Sequence, residues 1–153
     1  MDNALLQFAG EIGFLSAGLE KRFSRYRLGG LYGIVPTELS RGPLIETITL
    51  RQTYSFYSWE KFDFYGGLNI FHVLGLDYQT EKFRDAPRNY YSIGSIRGLL
   101  NLGFNLSLLK DRKQSFYFEM GLNDISITNY LTNSREVNPS DHVSLGMGYK
   151  YGF

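Results

Sequence analysis

The stretch Ser95-Ile-Arg-Gly-Leu-Leu-Asn-Leu-Gly-Phe-Asn-Leu-Ser107 decides how this chain folds. Ile96, Gly98, Leu100, Leu102, Phe104 and Leu106 alternate with Ser95, Arg97, Asn101, Gly103, Asn105 and Ser107, and a period of two is the signature of an extended strand between two environments. Towards the C-terminus, Phe116, Phe118, Met120 and Leu122 oppose Tyr117, Glu119, Gly121 and Asn123, with Ile125 and Ile127 extending the run. Then Val143, Leu145, Met147, Tyr149, Tyr151 and Phe153 oppose His142, Ser144, Gly146, Gly148 and Lys150. Towards the N-terminus, Phe62, Phe64, Leu68 and Ile70 oppose Asp63 and Asn69, and Ile48, Leu50, Tyr54 and Phe56 oppose Thr47, Thr49, Arg51, Thr53 and Ser55. Leu28, Gly30, Tyr32 and Ile34 oppose Arg27, Gly29 and Gly33 as far as Pro36, which cannot donate to a ladder. Leu15, Ala17, Leu19 and Phe23 oppose Ser16, Gly18, Glu20 and Arg22.

Seven strands in 153 residues predict an all-β fold in a single domain spanning residues 1–153. Composition agrees, with 12 Tyr, 12 Phe and 17 Gly against 4 Pro, a balance that favours twisted, closely packed strands. A formal net charge of +1 argues against a nucleic-acid partner. The lack of Cys excludes disulfides and thiolate chemistry. His72 and His142, on separate strands, make no metal-ligand set, and no glycine-rich strand-to-helix phosphate loop occurs, so neither metal nor cofactor is expected. No apolar run is long enough for a membrane helix and no signal peptide is visible. If the chain is exported, Met1 stands where a removed signal sequence ended.

The polar face combines small residues with the charges Glu20, Arg22, Arg27, Arg51, Asp63, Arg97, Glu119 and Lys150, whereas the other is almost purely Leu, Ile, Phe, Tyr and Gly. A lipid-facing exterior around a polar interior has this polarity, and a soluble ligand-carrying barrel has the reverse. The connections alternate in length: Ser24–Arg25, Tyr57–Lys61 and Lys110–Gln114 are short, and Pro36–Pro43, Gly75–Tyr90 and Thr128–Asp141 are long. Phe23, Tyr26, Phe56, Tyr57, Trp59, Phe62, Phe116, Tyr149, Tyr151 and Phe153 crowd the short-turn end, as an interfacial aromatic girdle would. These features predict a transmembrane antiparallel β-barrel of the bacterial outer membrane, an up-and-down meander. Such barrels have an even strand number, which requires an eighth strand before Glu11, and Ala4-Leu-Leu-Gln-Phe-Ala-Gly10 is the candidate. The alternatives are a small amphipathic helix or plug there, or a strand outside the given sequence.

The terminal strand Val143-Ser-Leu-Gly-Met-Gly-Tyr-Lys-Tyr-Gly-Phe153 resembles the C-terminal signal of the small eight-stranded outer-membrane barrels of the OmpA and OmpX type. Gly13-Phe-Leu-Ser-Ala-Gly18 and Leu31-Tyr-Gly-Ile-Val-Pro36 are similar to segments of uncharacterised small barrels of that kind. The resemblance implies that Tyr149, Tyr151 and Phe153 are read by the barrel-assembly machinery. It also implies outer-membrane lipid and lipopolysaccharide as surroundings; the long loops Gly75–Tyr90 and Thr128–Asp141 are expected to carry contacts with an envelope protein partner, because loops on rigid scaffolds usually carry function.

An eight-stranded interior is just wide enough for side chains to fill it, so a diffusion pore is not expected. Glu20, Arg22, Arg27, Arg51, Asp63, Arg97 and Glu119 are expected to pair as a lumen network, because isolated buried charges are costly. Enzymatic candidates are sparse. His142 and Ser144 share a strand face and resemble the His-x-Ser pair of the lipid A 3-O-deacylase family, which implies a base and a nucleophile; a carboxylate is not placed by spacing, Asp141 and Glu119 being the nearest candidates. His72 and Asp77 invite comparison with a surface lipid A palmitoyltransferase, without a spacing match. A rim histidine beside a small lumen serine is the commoner origin of such a pair. Three readings follow: a non-enzymatic barrel acting through its loops, a lipid-A-modifying hydrolase or acyltransferase, and a soluble carrier with its apolar face turned inward.

Overall fold

The computed structural model describes residues 2–10, 12–40, 44–74, 96–108, 113–124, 127 and 143–153. The strands are β1 (Asp2–Phe8), β2 (Leu15–Phe23), β3 (Tyr26–Val35), β4 (Ile45–Trp59), β5 (Phe62–Leu74), β6 (Ile96–Ser107), β7 (Gln114–Asn123) and β8 (Val143–Gly152), with a single-turn helix α1 (Thr37–Ser40) between β3 and β4. Each strand pairs antiparallel with its neighbour in sequence, and β8 returns to β1, closing a meander barrel of eight strands. Closure leaves no unpaired sheet edge.

The eighth strand is the N-terminal one. It begins and ends two residues earlier than the expected Ala4–Gly10, and it pairs with β2 on one side and with β8 on the other, from Asn3 opposite Gly152 to Phe8 opposite Met147. Ladder pairing on both sides excludes the helix and plug alternatives. The Phe153 amide donates to the Asp2 carbonyl at 3.0 Å, so the chain ends complete the seam at the short-turn end.

Beyond β1 the chain reverses through Ala9 and Gly10, both with positive φ, and through Gly13 at φ 141°, a conformation that disfavours any residue with a Cβ. This reversal pushes Ile12 wholly out of solvent, and its carbonyl accepts from the hydroxyls of Ser16 and Thr47. The β4–β5 connection is shorter than expected: β4 runs on to Trp59 and only Glu60 and Lys61 turn. A bulge between Ser55 and Tyr57 makes this extension useful. It shifts the inward parity by one, so Tyr57 and Trp59 stay outside while the Ser58 hydroxyl reaches Asp63 at 2.7 Å.

Interior and exterior are inverted relative to a water-soluble domain. Among the described residues seventeen buried side chains are polar or charged and seven are apolar, while Leu, Ile, Phe, Met and Tyr from every strand are exposed on the outer wall. The inner face is nevertheless more apolar than the alternation suggested. Leu5, Leu31, Phe71, Leu99 and Tyr117 pack there with Ile12, because a closed interior must be filled and short polar side chains cannot span it. The outer wall is also less uniform. Glu46 and Gln52 lie on it, each capped by the hydroxyl of a diagonal cross-strand tyrosine, Tyr32 on Glu46 and Tyr26 on Gln52, a pairing geometry available only between adjacent strands.

Gly148 lies under the Tyr117 ring, where a Cβ would collide with the ring and with the Leu6 carbonyl, whereas Gly30 opens outward with nothing near it. Gly148→Val is therefore expected to lower the unfolding free energy in a urea titration by about 1–3 kcal/mol or more, the usual cost of overpacking, and Gly30→Val to change it by less than about 0.5 kcal/mol, as surface replacements do.

Candidate functional site

Six charged side chains from β2, β3, β4, β5, β7 and β8 meet inside the barrel: Glu20, Arg27, Arg51, Asp63, Glu119 and Lys150. Three cations face three carboxylates, so the cluster is neutral. Arg51, fully buried, is at its centre, with Nη2 2.8 Å from Glu119 Oε2 and Nε 3.7 Å from Glu20 Oε2. Lys150 Nζ donates to both oxygens of Glu20, at 3.1 and 3.3 Å. Arg27 bridges to the remaining carboxylate, bonding Asp63 through Nη2 and approaching Glu20 at 3.9 Å through Nε.

Neutral partners occupy the remaining lone pairs. Gln7 Nε2 donates to Glu119 at 3.0 Å and itself accepts from the Tyr117 hydroxyl at 2.9 Å, and the Tyr65 hydroxyl links Arg51 to Glu119 at 3.1 and 3.2 Å. Asp63 takes further bonds from Ser55, Ser58 and Asn105. The Tyr65 and Tyr117 rings flank the cations, with the Arg51 guanidinium carbon 5.6 and 5.2 Å from their centres and Lys150 Nζ 5.6 and 5.0 Å away. Ring faces are negative, so both tyrosines stabilise the cations without adding a charge. Gly103 under Tyr65 and Gly148 under Tyr117 leave the room that these rings need.

Of the seven charges expected to share the lumen, Glu20, Arg27, Arg51, Asp63 and Glu119 are brought together. Arg22 is at the turn-end rim, its Nε donating to the Ser24 carbonyl at 2.8 Å, and Arg97 is at the opposite end, 3.7 Å from Asp124. Lys150 joins the cluster in their place. Alternation put it on the polar face, but its partner Glu20 is 130 positions away in sequence and becomes a neighbour only through closure.

The enzymatic candidates find no assembled constellation. Ser144 turns to the inner side, and its hydroxyl donates to the Gly121 carbonyl at 3.4 Å. Its expected base His142, with Asp141, lies outside the described residues, as does Asp77. His72 falls on the outward parity of β5, opposite Ile48, not at a lumen position. Glu119, the other candidate carboxylate, is committed to Arg51. Among the described residues no group of three or more His, Asp or Glu could hold a metal. Tyr151 and Phe153 are exposed on the outer wall of the terminal strand and Tyr149 partly so, stacked edge-on against Phe116.

No protein-family model matches the chain, and neither a curated protein nor a solved structure matches it, so the chemistry is argued from this geometry alone. This neutral, interlocked cluster links six of the eight strands across the interior. Removing one member leaves an uncompensated buried charge, whereas removing a matched pair does not. Glu119→Gln is expected to cost on the order of 3–5 kcal/mol of stability, and the Arg51→Met, Glu119→Leu double variant to recover at least half of that loss, in a double-mutant cycle read by urea unfolding.

Proposed function

We propose that the protein is an integral outer-membrane β-barrel of the small OmpA/OmpX architecture, without enzymatic activity, that acts as a structural or interaction protein through its extracellular loops, as a subunit of an envelope complex. The observation that carries this reading is the inversion of polarity: buried ion pairs inside and a predominantly apolar wall outside. In water, that wall would be destabilising by about 25 cal/mol for each Å² left exposed, whereas acyl chains solvate it at no such cost. A carrier of apolar ligands would need the opposite arrangement.

Further features support the same surroundings. The outward aromatics Phe23, Tyr26, Phe56, Tyr57, Trp59, Phe62, Phe116, Tyr151 and Phe153 gather at the end holding the short turns and both chain ends, as an interfacial girdle does. A shallow apolar groove of about 660 Å³ crosses the wall between Phe8, Phe64, Phe104, Phe118 and Met147, suited to an acyl chain. The segments that would carry contacts, residues 75–90 and 128–141, lie outside the described residues. Tyr149, Tyr151 and Phe153 would serve the barrel-assembly machinery.

The lipid-A-modifying alternative gains no support from Ser144, which is turned away from the wall that acyl chains would touch. In cells making the protein, we expect it in the outer-membrane fraction, with folded and boiled forms separating on cold gels. No stepwise conductance is expected in planar bilayers, and lipid A mass spectra should be identical for the intact protein and Ser144→Ala. Recovery of folded protein in buffer without detergent would overturn the membrane reading, and an acyl chain lost only with the intact protein would replace the structural role by a hydrolase.

A further inference from the structure

At the short-turn end the charge cluster stops below the rim and leaves a polar cavity of about 50 Å³ that opens towards solvent. One water needs on the order of 10–15 Å³ by the same measure, so the cavity holds a few waters or one small polyatomic ion. Three cations, Arg22, Arg27 and Lys150, line it against a single carboxylate, Asp63. That carboxylate is saturated by Arg27, Ser55, Ser58 and Asn105. Glu20 stands behind Lys150, outside the cavity wall.

Among the buried polar atoms of the interior that lack a hydrogen-bond partner, two belong to residues lining this cavity. The Arg27 side chain is 5% exposed, its Nη2 is held by Asp63, and its Nη1 is buried with no hydrogen-bond partner among the described residues. A buried guanidinium N–H without an acceptor is costly. Asn105, on the same wall, has its Oδ1 buried and likewise unmatched. The hydroxyls of Ser107 and Ser115 add donors on adjacent strands. A protonated phosphate group meets both demands at once, since its oxygens accept from Arg27 and the serines and its P–OH donates to Asn105. In sequence, the three connections at this end also carry Arg25, Lys61, Lys110, Arg112 and Lys113 against Glu60 and Asp111, a basic composition that raises the local concentration of anions.

We propose that this mouth is a binding site for one phosphate-type oxyanion, supplied either as free phosphate or as the phosphate of a lipid headgroup. The site lies inside the barrel and does not depend on the membrane reading; if the protein proves soluble, the same titration is run in buffer. The test is a titration of the folded protein with inorganic phosphate in maltoside micelles, at ionic strength held constant with chloride, reading backbone amide shifts of residues 107 and 115. A second arm reconstitutes the protein in phosphatidylcholine vesicles with and without phosphatidic acid, free of inorganic phosphate. A saturable shift in the first arm identifies free phosphate, and a shift only in the second identifies the headgroup. Arg22→Gln and Ser115→Ala, both outside the six-residue charge cluster, should each weaken the response at least tenfold in the arm where it occurs. No saturable shift in either arm, an equal shift with chloride, or full retention in both variants overturns the proposal.

Discussion

Charges inside a closed eight-stranded barrel must neutralise one another, because strand closure removes both the solvent and the space in which they could turn away. Arg51 is the member on which the others depend. It is fully buried, it bonds Glu119 and Tyr65 directly, and it approaches Glu20, which in turn holds Lys150 and Arg27. The cluster thus ties β2, β3, β4, β5, β7 and β8 to one centre, in addition to the backbone ladders that tie each strand to its neighbours. Ladders alone specify neighbours, whereas a cross-lumen cluster also penalises a register slip, which would turn each charge to the opposite wall.

The rest of the interior follows from this centre. Tyr65 and Tyr117 reach across towards the cations, and glycines beneath them supply the space. Towards the long-loop end the filling changes to apolar residues around Ile12, Leu31, Phe71 and Leu99, with Arg97 paired to Asp124 at the rim. At the short-turn end it remains polar and stays open. The interior is thus filled by charged side chains in the middle and differs in character towards its two ends.

Much of the fold was legible in the sequence. Period-two alternation located seven strands within a few residues, since it reflects which face each side chain meets, a local property of the extended backbone. Alternation was weaker at β1, where Asp2–Phe8 has only a short apolar face, and failed at the Ser55–Tyr57 bulge, because one inserted residue reverses parity without changing composition. Leu31, Phe71 and Leu99 were not expected inside, since hydrophobicity does not say which wall a residue meets. Parity alone could have placed them there. The polar pairs Tyr32–Glu46 and Tyr26–Gln52 on the outer wall escaped notice for a different reason: each depends on the diagonal of a specific register.

By itself the sequence determined the fold class, the antiparallel meander and most of the polar side chains that share the inner face, because strand period and connection length are written along the chain. It did not determine which of those side chains touch. Lys150 and Glu20, or Gln7 and Glu119, are separated by more than a hundred residues, and Arg22 and Arg97 carry the same alternation signal as Arg27 and Arg51 yet lie at opposite rims. Only the stagger of the closed barrel assigns each inward residue a height along the axis, and height, not face, decides which charges meet, which rim stays basic and where a cavity is left.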